Sequence, residues 1–256
     1  MFSRFVIYNF ERIYNHIILK DCFKEDGIKL INEYKKAING SIELLVNSSN
    51  NTIDANSIET SWFPQIECDV FISHSHKDAN HIISFVGWLY KCLGIRAFLD
   101  STIWESVYDL ENKLEQKYFK EDYECLLDQR AISNKAHSNA LLILNSAIEK
   151  MIDSTECFLF VGTNNSLVNM ETNSPWIYTE NLFSNMVQRK ELREYRQNYL
   201  IHEQYTADAL QIKYKCSFVG YKEITGPDLL EIWENRGIID PTASLDYLYK
   251  MKGVIK

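Results

Sequence analysis

Cys68-Asp69-Val70-Phe71-Ile72-Ser73-His74-Ser75 is the stretch on which the reading of this chain turns. Three apolar residues, Val70 to Ile72, meet an abrupt polar end of hydroxyls, imidazoles and an acid, Ser73 to Asp78. A short β-branched and aromatic run of this kind predicts a parallel strand buried on both faces. Beyond it, Ile82, Ile83, Phe85, Val86, Trp88, Leu89 and Leu93 recur at helical spacing up to Gly94, a stop signal. Ile95 to Asp100 then reads as a second strand, which completes a strand–helix–strand unit. In open α/β sheets ligands gather beyond the carboxyl ends of the strands, so Ser73–His76 and Asp100–Thr102 become the first candidates for a site.

Outward from this unit the pattern repeats. The chain after Asp100 is charged and aromatic as far as about Lys135, and it predicts a helix and loop over the strand edge. From Ser138 a second amphipathic helix is expected, with Ala140, Leu141, Leu144, Ala147, Ile148 and Met151 on one stripe. Cys157 to Val161 is a third uncharged strand, stopped by Gly162 and followed by the polar Thr163-Asn164-Asn165-Ser166, so three strand ends converge. Ser174-Pro175 is a specific helix start, serine as N-cap and proline in the first turn. Trp176 and Glu180, four apart, share a face of that helix. Ile212 to Val219 reads as a fourth strand, and residues 228–233 and 245–251 as terminal helices. Residues 1–46 read as two helical pieces, Phe5, Ile7, Phe10 and Ile13 forming the stripe of the first, with Gly27 as an interruption. The polar cluster Asn47 to Asn51 then places a boundary between an N-terminal helical extension, 1–65, and a main domain, 66–256.

Composition narrows the function classes. With 256 residues, 46% hydrophobic and 24% charged, the chain has the balance of a globular protein able to bury a core. A net charge of −8 argues against a grip on nucleic-acid phosphates. The six cysteines form no Cys-x-x-Cys pair, which fits reduced thiols in a cytoplasmic protein better than a disulfide frame or a zinc site. No apolar run approaches the roughly 20 residues that span a bilayer, so no membrane partner is expected. His74 and His76 lack convincing metal spacing with other ligands, and no metal is assigned. No Gly-rich phosphate loop follows Ser73, which counts against a dinucleotide Rossmann site.

Asp69-Val70-Phe71-Ile72-Ser73 resembles the first box of Toll/interleukin-1 receptor (TIR) domains, and Gly94 to Asp100 resembles their second strand. Trp176-Ile177-Tyr178-Thr179-Glu180 resembles the tryptophan-x-x-x-glutamate helix of TIR enzymes that cleave NAD+. The likeness covers about residues 66–250, and residues 1–65 have no counterpart in that core fold. It implies a flavodoxin-like parallel sheet with helices on both faces. It also implies an NAD+ nucleosidase, a glycohydrolase or ADP-ribosyl cyclase, that takes NAD+ as substrate and needs no cofactor. Glu180 would be the catalytic carboxylate and Trp176 a wall of the pocket. Ser73, His74, Ser75 and Asp100 would line the substrate site, with the Trp104 indole as a stacking platform. Each has a plainer alternative: Ser73 as a helix cap, His74 and His76 as surface imidazoles, Asp100 as a strand-end cap, Trp104 as loop core. Stand-alone proteins of this appearance resemble bacterial antiphage components whose product, linear, cyclic or conjugated ADP-ribose, signals to a separate effector protein. The alternative implied by the same family is a non-catalytic adaptor that pairs with other TIR domains. Self-association, aided by the N-terminal extension, is expected in either case.

Overall fold

The computed structural model describes residues 1–16, 21–36, 38, 54–104, 106–118, 126–195, 214–215, 217–235 and 240–255. Five parallel strands form its central sheet: β1 (Ser3–Ile7), β2 (Val70–Ser73), β3 (Ala97–Phe98), β4 (Cys157–Val161) and β7 (Lys222–Glu223). Their order across the sheet is β3-β2-β4-β1-β7. A separate antiparallel pair joins β5 (Glu171–Thr172) to β6 (Tyr214–Lys215). The described helices are α1 (Phe10–His16), α2 (Lys24–Lys35), α3 (Ala55–Trp62), α4 (Ala79–Leu93), α5 (Asp100–Ile103) and α6 (Val107–Tyr118), followed by α7 (Leu126–Ser154), α8 (Pro175–Met186), α9 (Leu192–Tyr195), α10 (Gly226–Asn235) and α11 (Pro241–Met251). The protein is an α/β structure of flavodoxin-like kind, its parallel sheet flanked by helices.

The strand–helix–strand unit forms where the sequence placed it. All four residues of β2 are buried, as expected of a strand covered on both faces. Helix α4 ends at Gly94, which takes the left-handed conformation (φ 74°) and donates its N–H to the carbonyl of Tyr90. The Asp69 carboxylate accepts from the Arg96 N–H at 2.7 Å and so ties the start of β2 to that of β3. Burial pushes its pKa up to about 6.

The N-terminal reading is corrected. Ser3 to Ile7 is no helix but a strand, running between β4 and β7 with Val6 opposite Phe160 and Glu223. Phe5, Val6 and Ile7 carry the same buried apolar pattern as β2, and a stripe shared with Phe10 and Ile13 mimicked helical spacing. The sheet is therefore incomplete without residues 1–7, and the proposed extension is built into the main domain. Gly27 does not interrupt a helix either. It lies inside α2, where a Cβ would come within 2.0 Å of the Ile83 carbonyl oxygen, and a Cβ on Gly87 of α4 would meet the Phe23 carbonyl oxygen at 1.9 Å. The two glycines let α2 and α4 pack backbone to backbone. Helix α3 is held as firmly, since Lys150 of α7 donates to both carboxylate oxygens of Glu59 at 2.8 and 2.9 Å. Numbered along the chain, the five strands run 3-2-4-1-5, whereas the flavodoxin order is 2-1-3-4-5. The difference is the first strand, which here is inserted between the fourth and the fifth.

Three further expectations shift. Helix α7 begins at Leu126 rather than Ser138, because nothing between 126 and 138 breaks a helix. Tyr214–Lys215, within the expected fourth strand, pairs antiparallel with Glu171–Thr172, outside the main sheet. Residues 212–213 and 216 of that expectation, and the polar cluster at 47–51, lie outside the described residues. The last strand of the sheet is instead Lys222–Glu223. Among the described residues no helix is long and apolar enough to cross a membrane.

Candidate functional site

Because β3 lies on one side of β2 and β4 on the other, the strand order reverses direction at β2. This is the switch point at which an α/β sheet opens a crevice beyond its carboxyl ends. Ser73 ends β2, Asp100 follows β3 and opens α5, and Thr163 follows β4. Helix α8 packs on β2 and brings Glu180 to the same place. Its start is fixed by Ser174, whose hydroxyl accepts from the Ile177 N–H at 3.3 Å, with Pro175 in the first turn.

The resulting cluster is buried and short of hydrogen bonds. Glu180 is 2% exposed, Ser73 0% and His74 4%. Among the described residues, Glu180 Oε2, Ser73 Oγ and both ring nitrogens of His74 have no hydrogen-bond partner. Burial pushes the Glu180 carboxyl well above its ordinary value, and the negative charge of Asp100 acts in the same sense. The Ser73 hydroxyl lies close enough to act in the opposite sense, although the two do not form a bond of full geometry. His74 is pushed the other way, its pKa lowered by burial against the attraction of Asp100. Its ring lies nearly parallel to that of His76, with centroids 6.5 Å apart. Orphaned polar atoms of this kind cost free energy unless something completes them, and here four of them fall in one cluster.

The remaining candidates divide. Trp176, one turn before Glu180, is half-buried and packs on the core. Ser75 caps the short turn after β2, its hydroxyl accepting from the Lys77 N–H at 3.4 Å. Trp104 does not join the cluster. Its indole N–H donates to the Pro64 carbonyl at 3.1 Å and its ring packs on Phe98 and Phe63, at 4.9 and 5.5 Å between centroids. The stacking-platform reading is therefore corrected: Trp104 is loop core, because its ring has two aromatic neighbours and its one donor is already used.

Sequence reasoning missed the group that braces the site. Buried Asp78 accepts from the Thr163 hydroxyl and from the Asn165 amide, both at 2.6 Å. The Ser166 hydroxyl accepts from the Thr163 N–H at 2.8 Å and donates to the Val161 carbonyl at 3.2 Å. Together these bonds lace the end of β4 to the turn after β2. The polar run after Gly162 was the available signal, but its partner, Asp78, stands 85 residues before Thr163. Among the described residues no set of three or more His, Cys, Asp or Glu is arranged to hold a metal.

No family model matches this chain, and neither does any curated protein or solved structure. The function must therefore be argued from the cluster itself.

Proposed function

We propose that the protein is an NAD+ nucleosidase in which Glu180 is the catalytic carboxylate. The observation that supports this most is the placing of Glu180, on the face of α8 that carries Trp176, beside Ser73 and Asp100 at the switch point of the sheet. In the reaction the bond between the nicotinamide nitrogen and the ribose carbon breaks. Nicotinamide leaves neutral with the electron pair, so no general acid is required. The ribose carbon develops oxocarbenium character, as in glycoside cleavage. A carboxylate held out of water opposite that carbon stabilises it strongly, because the charge is met by a fixed partner and not by mobile solvent. Burial raises the pKa of Glu180, and a cationic substrate beside it would favour the ionised form. Water then adds to the carbon and releases a proton, giving ADP-ribose, or a nucleophile of the ADP-ribose itself or of an acceptor closes a cyclic or conjugated product. Ser73 and His74 supply unpaired donors for the ribose or pyrophosphate. The product would act as a signal to a separate effector protein, in antiphage defence.

The near-complete burial of Glu180 and Ser73 favours one other reading, a TIR-like adaptor that acts by pairing with other copies and leaves Glu180 as a structural acid. Incubation of the pure protein with NAD+ and chromatography for nicotinamide separates the two. Nicotinamide released by the wild type and not by Glu180→Gln is the expected result. Equal release by both removes Glu180 from the chemistry, and release by neither favours the adaptor.

A further inference from the structure

A cavity of about 280 Å³ opens at the other edge of the sheet, where β1 and β7 begin side by side with Phe5 opposite Lys222. Three cationic side chains line it, Arg4, Arg189 and Lys222, and no aspartate or glutamate is among its described lining residues. Two of the three are held in place by rings. The Arg4 guanidinium lies over Tyr221 at 5.2 Å from the centroid, and Arg189 lies over Phe2 at 4.9 Å. Arg4 is fixed further by donating to the Ser184 carbonyl at 3.2 Å and to the Asn185 side chain at 2.5 Å. Gly220, with φ 83°, leaves it room, since a Cβ there would stand 3.1 Å from Nη2.

The charge of this group is unspent. Among the described residues none of the three forms an ion pair. Two acids act on the Met1 amine that also lines the cavity: Asp153 pairs with Lys190, and Glu194 accepts from the Glu191 N–H at 2.7 Å. Glu223 lies on the opposite face of β7 from Lys222. In a chain of net charge −8, three unneutralised cations around one recess are a local reversal of the overall field. A monocarboxylate would neutralise only one of them. A phosphate-type anion carries about two charges or more and presents oxygens in the spacing that a guanidinium fork matches.

We propose that this cavity is a binding site for a small phosphate-bearing anion of the pyrophosphate class, with Arg189 and Lys222 supplying the charge and Arg4 the preset floor. Glu180 is not among its lining residues, and the proposal does not depend on the NAD+ reading. Isothermal titration of the full chain with inorganic pyrophosphate, in magnesium-free buffer at matched ionic strength, tests it. The wild type should give saturable binding, and Arg189→Gln/Lys222→Gln should weaken it by about tenfold or more. Arg4 is left intact because it also holds α8. Both substituted residues are exposed, and circular dichroism of the double variant checks its fold; if it fails to fold, the two single variants are titrated in its place. No saturable binding by the wild type, or an unchanged dissociation constant in the variants, overturns the proposal.

Discussion

Val6 and Phe160 are partners in one parallel ladder, the first almost at the start of the chain and the second well past its midpoint. Removal of residues 1–7 therefore takes an inner strand out of the sheet and leaves β4 and β7 without their common neighbour. A chain truncated by its first seven residues should be insoluble or molten, with loss of near-ultraviolet circular dichroism. A milder variant, Phe5→Ala, should cost about 3–5 kcal/mol in denaturant unfolding, the usual range for a fully buried aromatic. A truncated chain that unfolds with the wild-type midpoint would show β1 to be dispensable.

Glu180→Gln should abolish nicotinamide release and also stabilise the protein, most of all at high pH. Burial raises the folded-state pKa of Glu180 above its ordinary 4.5, so the folded state retains a proton that the unfolded state gives up. Its contribution to stability is thus lost as the pH rises from about 4.5 through the folded-state value. The glutamine has no such loss. The gain in melting temperature should accordingly be larger at pH 8 than at pH 4.5, with each kcal/mol appearing as about 2–4 °C in a chain of this size. A variant that melts below the wild type at pH 8 would contradict a raised folded-state pKa for Glu180.

His74 works in the reverse direction. Its folded-state pKa is lowered, so below its ordinary value of 6.5 the unfolded chain takes up a proton that the folded chain refuses. Stability should fall as the pH drops below about 6.5, and His74→Gln should flatten that acid limb. Thermal melts of the two proteins at pH 5 and pH 7.5 measure it. The same acid slope in both would place the proton uptake elsewhere.

The two tryptophans that the sequence assigned to the site should separate in function. Trp104→Phe keeps an aromatic against Phe98 and Phe63 and loses one hydrogen bond to Pro64, so it should lower stability by about 1 kcal/mol and leave nicotinamide release within about twofold. Trp176→Ala, one turn from Glu180, should lower turnover by about tenfold or more through a misplaced wall. Steady-state rates for both variants decide the matter, and a larger loss for Trp104→Phe than for Trp176→Ala would reverse the assignment.

Asp78→Ala should cost about 3 kcal/mol, because it strips the Thr163 hydroxyl and the Asn165 amide of a charged acceptor inside the fold. Chemical denaturation measures the loss. A change below about 0.5 kcal/mol would mean that water replaces the carboxylate without cost.

The sequence by itself determined the βα unit at Val70–Phe98, the strand at Cys157, the capped helix at Ser174 and the nearness of Ser73, Asp100 and Glu180. Each of these is written in local terms: a buried apolar run, a glycine stop, a serine–proline start, and the rule that strand ends share one edge. What only the tertiary structure decided depends on pairing across distance. Phe5 to Ile7 has the same apolar character in a helix stripe as in an inner strand, and nothing local says which; the open place between β4 and β7 chose the strand. Gly27 reads as a helix breaker until Ile83 is seen against it, since a close helix crossing exists only once both helices are packed. Trp104 carries the same indole whether it stacks on a ligand or on Phe98, and its place was set by Pro64 and Phe63, residues that became its neighbours only when the chain folded. The bracing of the site by Asp78 has the same origin, a carboxylate and two polar partners brought together by strands adjacent in space and distant in sequence.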